Sequence, residues 1–514
     1  MQQFERKTQK SWFAQPLDRV ALGVAVVLSI LIGILLMGGS HTAPKVRYFT
    51  WQDRQIGAED TAFILSFSRP MEHATVEENL RLIPPLPGKF SWAGRRMAYT
   101  LDRPAPYGTA FELELAGAQD RFSSEDSATL QPFVGRFRSR DRAFVYLGVE
   151  GDEAGRLVLE NLTRQEHQVL TPPDLVVMDF EPYPNGDRIL FSATPKASYS
   201  QNLLDQQLYT VTTGIQPLAP ARSPAEIQQG IFPEAPPEPQ PAGQVEQILD
   251  SAEYQNLKFD LAPDGEKIIV RRVNRQDPSD FGIWLITPEQ PPQPLETEPG
   301  GDFLIAPDSN SLAMSQGQGL AILPLESGAE PLDFLAKFGV ILSFSRDGTS
   351  AATVQFNIDP VNPTRSLYVV TNQGEEKELL RTNGSILNAE FGPAKENLYA
   401  LVTERIDSNE VFLEQPYLIS INLETKEPYT LLKLPIQREI QMSLAPDGLG
   451  LLFDQVVSSQ PDEAAEGLLR GDDGSAIATS RLWFLPLELD EQGNPLPLEP
   501  QELPLAGLRP EWLP

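Results

Sequence analysis

The chain has 514 residues, with 41 Lys and Arg against 71 Asp and Glu, for a formal net charge of −30. That acidity repels a phosphate backbone and excludes nucleic acid as the expected partner. Three histidines and no cysteine leave no thiol nucleophile or Cys-ligated metal, and little from which to build a zinc site or a Ser/His/Asp triad.

Residues 1–19 carry Arg6, Lys7, Lys10 and Arg19, and residues 20–37 then run without a charge, Ser29 being the one hydroxyl. A helix there covers about 27 Å at ~1.5 Å per residue, near the ~30 Å of a bilayer core. The run exceeds a signal-peptide h-region, and His41-Thr42-Ala43 makes a poor cleavage site, so an uncleaved transmembrane helix is expected over 20–38. Cations weighted ahead of the span predict a single-pass cell-membrane protein with a cytoplasmic N-terminus and its bulk periplasmic or extracellular.

Residues 44–139 alternate with period two between turn residues. Examples are Ala62-Phe63-Ile64-Leu65-Ser66-Phe67, then Arg96-Met97-Ala98-Tyr99-Thr100-Leu101, then Ala110-Phe111-Glu112-Leu113-Glu114-Leu115. Such runs predict an antiparallel β-sandwich. Phe67-Ser68-Arg69-Pro70-Met71, the Pro84 loop, Phe90-Ser91-Trp92 and Tyr107-Gly108-Thr109-Ala110-Phe111 resemble the bacterial Ig-like domain of the SbsA type. The resemblance implies a spacer or adhesion module without catalytic residues. His73 is expected in an exposed turn.

Residues 140–514 repeat one unit: an apolar strand, a turn with Pro and Asp or Asn-Gly, and further strands. The turns stand at Pro184-Asn185-Gly186, Pro263-Asp264-Gly265, Pro307-Asp308-Ser309, Arg346-Asp347-Gly348, Pro393-Ala394-Lys395 and Pro446-Asp447-Gly448. Four strands per unit of about 40–50 residues describe a propeller blade. The chain ends in Glu511-Trp512-Leu513-Pro514, a first strand stopping in its turn, and the domain opens with Ala143-Phe144-Val145-Tyr146, the matching second strand. Joined, these ends close the ring and bury its open edges. The fold class is therefore all-β, a seven-bladed β-propeller, with six or eight blades left open by the long intervals. Leu261-Ala262-Pro263-Asp264-Gly265 and Leu444-Ala445-Pro446-Asp447-Gly448 resemble the TolB-type (WD40-like) repeat, from which Pro393-Ala394-Lys395 departs. That resemblance concerns the fold and says little about activity.

Two insertions interrupt the repeats. Residues 216–243 are proline-rich and predict an extended linker. Residues 458–480 hold Asp462, Glu463, Glu466, Asp472 and Asp473 without EF-hand spacing, and so read as a solvated loop; Arg470-Gly471-Asp472 is a chance-level tripeptide. Hairpin chemistry accounts for the Asp-Gly turns. Asn161-Leu162-Thr163 and Asn383-Gly384-Ser385 match glycosylation sequons without implying modification.

The residue before the large apolar position of each first strand is Glu181, Asp260, Leu304, Ser343, Glu390, Ser443 or Glu511. Innermost strands line a propeller channel, so Glu181, Asp260, Glu390 and Glu511 are the candidate binding carboxylates, able to draw a cation or to raise one another's pKa. The alternative is that each bonds the backbone of a neighbouring blade. His167 is expected at the rim. No G-x-S-x-G, HExxH or Walker-type loop occurs, and no catalytic residue, cofactor or metal site is expected. The expected function is a membrane-anchored binding or scaffold protein whose propeller face recognises a protein, peptide or envelope glycan. The alternative is a glycan-acting hydrolase or lyase using the channel carboxylates.

Overall fold

Alternating burial along short strands dominates the chain. The computed structural model describes residues 16–37, 43–121, 129–201, 203, 205–219, 236–288, 290–326, 328, 330–357, 359, 361–406, 413–437, 440–458, 477–490 and 494–514. In Ala62–Phe67, for instance, Phe63, Leu65 and Phe67 are buried and their neighbours are not. That period lets one face of a pleated strand enter a core.

The first such core lies between two four-stranded sheets. One runs Val46–Phe49, Ala62–Phe67, Arg96–Leu101, Gly88–Ala93; the other runs Arg54–Ile56, Phe133–Ser139, Ala110–Leu115, Leu80–Ile83. Aromatic rings fill the gap, with Trp51 centred 5.2 Å from Phe63 and 5.1 Å from Phe137. Wholly antiparallel pairing was expected, but Arg54–Ile56 runs parallel to Phe133–Ser139. Between Val46–Phe49 and Arg54–Ile56 the chain passes from one sheet to the other through a turn in which Asp53 adopts φ 55°. His73 is not in a loop: it opens the helix His73–Asn79 and stacks on Trp92 at 4.1 Å, half-buried.

Among the described residues seven further sheets follow: six are four-stranded meanders, the last of them with an extra short strand, and one takes its innermost strand from the C-terminus. The first strands of these sheets, among them Leu175–Pro182, Tyr254–Leu261, Ile386–Phe391 and Gly507–Trp512, all contribute to the wall of one cavity. Gly507–Trp512 pairs antiparallel with Ala143–Gly148, placing Glu511 opposite Val145 and Trp512 opposite Phe144. The C-terminal strand therefore completes the sheet that Ala143–Gly148, Leu157–Asn161 and Glu166–Val169 begin, as the sequence ends predicted. Across the remaining join, Arg509 Nη1 donates to the Met178 carbonyl at 2.9 Å. The architecture is an all-β propeller.

The first-to-second-strand turns share one conformation. Gly265 sits at φ 74° and Gly448 at φ 75°, a region glycine enters without steric cost. Ser309 and Lys395 occupy the same position at φ 56°. Lys395 N–H donates to the Gly392 carbonyl at 2.9 Å, as Gly265 N–H does to Ala262 at 2.7 Å, so the divergent Pro393-Ala394-Lys395 still makes the repeat's turn.

The proline-rich insertion joins the strands Gln207–Thr212 and Val245–Leu249, its residues 220–235 lying outside the described ones. The acidic insertion is shorter than expected, because residues 477–480 already belong to the strand Ile477–Leu489. Its five carboxylates and Arg470-Gly471-Asp472 lie outside the described residues. Neither sequon asparagine is free: Asn161 is buried and donates to Asp141 at 3.2 Å, and Asn383 accepts the Arg405 N–H at 2.9 Å.

The expected membrane crossing is corrected. Among the described residues no helix is long and apolar enough to cross a membrane. The chain is helical over Pro16–Met37. Helix formation there is upheld and the crossing is not. The single-pass placement and the cytoplasmic N-terminus fall with it.

Candidate functional site in the propeller channel

All four predicted carboxylates reach one cavity. Glu181, Asp260, Glu390 and Glu511 line a space of about 500 Å³, together with the turn prolines Pro263, Pro307, Pro393, Pro446 and Pro514. Each comes from the same place in its sheet, near the end of the innermost strand, so the repeat itself brings them together. The cavity thus runs from this tier of side chains toward the face carrying the turns.

The sandwich is held on that same face. Tyr107 N–H donates to Asp447 Oδ2 at 2.9 Å, and Arg142 pairs with the same oxygen. Arg103 meets Glu396 at 3.3 Å, and the Arg140 guanidinium donates to the carbonyls of Pro184 and Asn185. Asp447 and Glu396 lie beside the cavity-lining Pro446 and Pro393. The exposed Arg346 lies at the rim, a cation opposite the acidic floor.

The carboxylates do not simply face one another. Glu181 Oε2 accepts the Leu261 N–H at 2.9 Å, Asp260 Oδ2 accepts that of Ile305, and Glu390 Oε2 accepts that of Leu444 at 3.1 Å. Ser443 Oγ accepts the Trp512 N–H at 3.1 Å. One rule covers the four bonds: each tier residue takes the N–H immediately after the tier residue of the next sheet. These bonds stitch adjacent innermost strands where the sheets themselves do not pair, the alternative raised for the sequence. Asn388 Nδ2 adds a second bond to Glu390 at 3.1 Å.

Glu511 breaks the rule. The residue after the next tier position, Glu181, is Pro182, which has no N–H to give. Among the described residues the Glu511 carboxylate makes no hydrogen bond; the residue is partly exposed and lines the cavity. Ser343, on the same tier, also leaves its hydroxyl without a partner. The orphaned acceptor was legible in principle, since a proline follows one tier position and none of the other six, but only once the stitching rule is known.

Electrostatics follow from burial. Desolvation pushes Asp260 and Glu390 each up to about 7, against the relief their backbone N–H partners give. Glu181 is raised well above the usual carboxylate range by burial and then by the charges of Asp260 and Glu511. Glu511 is raised likewise, by burial and then by Asp179 and Glu390. Beside the channel, Asp454 is buried and raised to about 6, although the N–H groups of Arg509 and Gln441 bind it at 2.7 and 2.8 Å. Among the described residues no three acidic or His groups are disposed to hold a metal ion.

His167 lies in the outermost strand of the closing sheet, away from the channel. Its Nδ1 and Nε2 contact Glu160 and Glu153 at 2.8 Å each. Neither glutamate was paired with it from the sequence; Glu160 lies directly across the hairpin from it, a register the sequence leaves open.

No family model matches the chain, and no curated protein matches it. Solved propellers are similar in fold. TolB from Acinetobacter baumannii shares 10% identity over 80% of this chain and 81% of its own, with a TM-score of 0.37. A putative 6-phosphogluconolactonase from Bacteroides fragilis shares 11% over 73% and 98%, TM-score 0.38. The dihydro-heme d1 dehydrogenase NirN shares 13% over 72% and 74%, TM-score 0.37. Strand order and closure, not these likenesses, define the propeller.

Proposed function

We propose that the chain is a non-catalytic binding or scaffold protein: a seven-bladed propeller with an Ig-like spacer on its turn face, taking a protein, peptide or glycan partner at the channel. The seven successive four-stranded sheets support the blade count. A first strand divided between two sheets, its second half parallel to the last strand, supports the Ig-like reading of the sandwich. The observation carrying the functional reading is that three of the four channel carboxylates are committed to N–H groups of the neighbouring sheet. An acid/base pair on a glycan needs carboxyls free to exchange protons with the substrate across ~5–10 Å. Loops of many blades converging on one mouth let weak contacts sum without chemistry. A net charge of −30 favours a basic partner.

The second reading, a glycan-acting hydrolase or lyase, draws support from Asp260 and Glu390, whose values near 7 suit general acids. The two separate by affinity capture of tagged residues 43–514 together with turnover on a glycan panel. One partner recovered in stoichiometric amount and no turnover is the expected result. Turnover that disappears in Glu181→Gln or Asp260→Asn would transfer the function to the enzyme.

A further inference from the structure

The ring's hydrogen bonding is complete at every tier carboxylate except the one at its seam. Glu181, Asp260 and Glu390 each hold a backbone N–H. Glu511 meets Pro182 where that donor would stand, and its carboxylate is left facing the cavity. Partly exposed to the cavity, that carboxylate can be hydrogen-bonded only by solvent, so a donor brought from outside can take its oxygens without displacing a protein bond. The cavity, at about 500 Å³, has the size of a small-ligand pocket, and Leu304, Leu342 and Leu444 give its wall apolar stretches beside the acidic tier.

We propose that Glu511 is the recognition point for a protonated primary amine, as at the tip of a lysine side chain, bound in the channel. The inference rests on the binding reading above and adds the chemistry of what is bound. An ammonium group carries three donors and a positive charge. One donor satisfies Glu511, and the charge offsets the field of Asp179 and Glu390, which flank it. A divalent ion fits less well. It asks for six or more oxygens, whereas the neighbouring carboxylates already spend a lone pair on N–H groups and no three of the described acidic groups are disposed around a metal. The apolar walls contributed by Leu304, Leu342 and Leu444 suit the methylene stem behind such an ammonium.

The test is calorimetric titration of the whole chain with Nα-acetyl-lysine methylamide, with the norleucine analogue as the uncharged control. Saturable binding of the lysine compound alone is expected. Glu511→Gln should weaken it tenfold or more, and Glu511→Asp less. Pro182→Ala restores the missing N–H, ties Glu511 down like its counterparts, and should weaken binding severalfold while circular dichroism stays unchanged. If Pro182→Ala does not fold, the ordering of wild type, Asp and Gln at 511 decides. Absence of binding up to millimolar concentration, equal binding of the norleucine compound, indifference to both Glu511 variants, or displacement by calcium would overturn the proposal. A captured protein partner whose binding ignores Glu511→Gln would sink the amine site and leave the binding function standing; glycan turnover would sink the function itself.

Discussion

Trp512 packs edge-to-face on Phe144 with ring centroids 5.4 Å apart, which fastens the end of the chain to the first strand of the propeller. A second ring, Phe484, meets Trp512 at 6.0 Å from the preceding sheet, so one buried indole joins two blades and the seam. Trp512→Ala removes both contacts and leaves a cavity at the closure. It should cost about 3–5 kcal/mol in urea unfolding, the range for burying and then deleting a large aromatic. Val361→Ala, at a position 81% exposed, should stay within about 0.5 kcal/mol in the same assay.

The channel predicts how stability follows pH. Asp260 and Glu390 stand near 7 in the folded chain, above their ordinary values of 3.8 and 4.5. The folded state then holds more protons than the unfolded one between those limits, so stability falls as pH rises through that window. Each group contributes a slope of about 1.4 kcal/mol per pH unit at most. In Glu390→Gln, which keeps an oxygen for the Leu444 N–H, the decline between pH 5 and 7 should be shallower; an unchanged slope in denaturant titrations would contradict the assignment.

Asp447 ties the sandwich to the propeller. Its buried carboxylate accepts the Tyr107 N–H at 2.9 Å and the Leu449 N–H at 3.0 Å and pairs with Arg142. Removing one member of a buried, hydrogen-bonded ion pair costs about 3–5 kcal/mol. Asp447→Ala should expose the 103–108 segment to limited proteolysis while the propeller's own strands stay resistant. The exposed pair Arg136–Glu112, by contrast, should change stability by less than about 1 kcal/mol when broken.

His167 gives a prediction of the same kind with a smaller size. Partial burial lowers its pKa, but the hydrogen bonds and charges of Glu160 and Glu153 outweigh that and hold it above the ordinary value of 6.5. A raised folded pKa stabilises below the unfolded value and is lost as pH climbs through the folded one. His167→Gln should therefore cost up to about 1 kcal/mol near pH 5.5, discounted for solvent screening, and nothing near pH 9. Proton NMR of the imidazole would give the titration directly.

The sequence patterns carry the repeat, its closure and the convergence of Glu181, Asp260, Glu390 and Glu511, because all three follow from period and register. What each carboxylate binds does not follow. That depends on the half-step offset between neighbouring sheets, which places Leu261 rather than Asp260 opposite Glu181 and Pro182 opposite Glu511. The Asp-Gly turns were read as hairpin chemistry, yet Asp347 also pairs with Lys395 in the next sheet's turn, and Arg140 donates to the carbonyls of Pro184 and Asn185. Asp447 additionally reaches into the sandwich, a contact across 340 positions with no local mark. The helical run at the N-terminus was readable as helix, and its length as a membrane crossing was not upheld.

Closure of the ring by the C-terminal strand is the central claim, because the tier, the seam and the cavity exist only if it holds. Native-state hydrogen exchange tests it at the amides of Leu508, Glu511 and Trp512. Protection equal to that of Val145 and Leu147 is expected there, with exchange only through global unfolding. Rapid exchange at those amides while Val145 and Leu147 stay protected would contradict it.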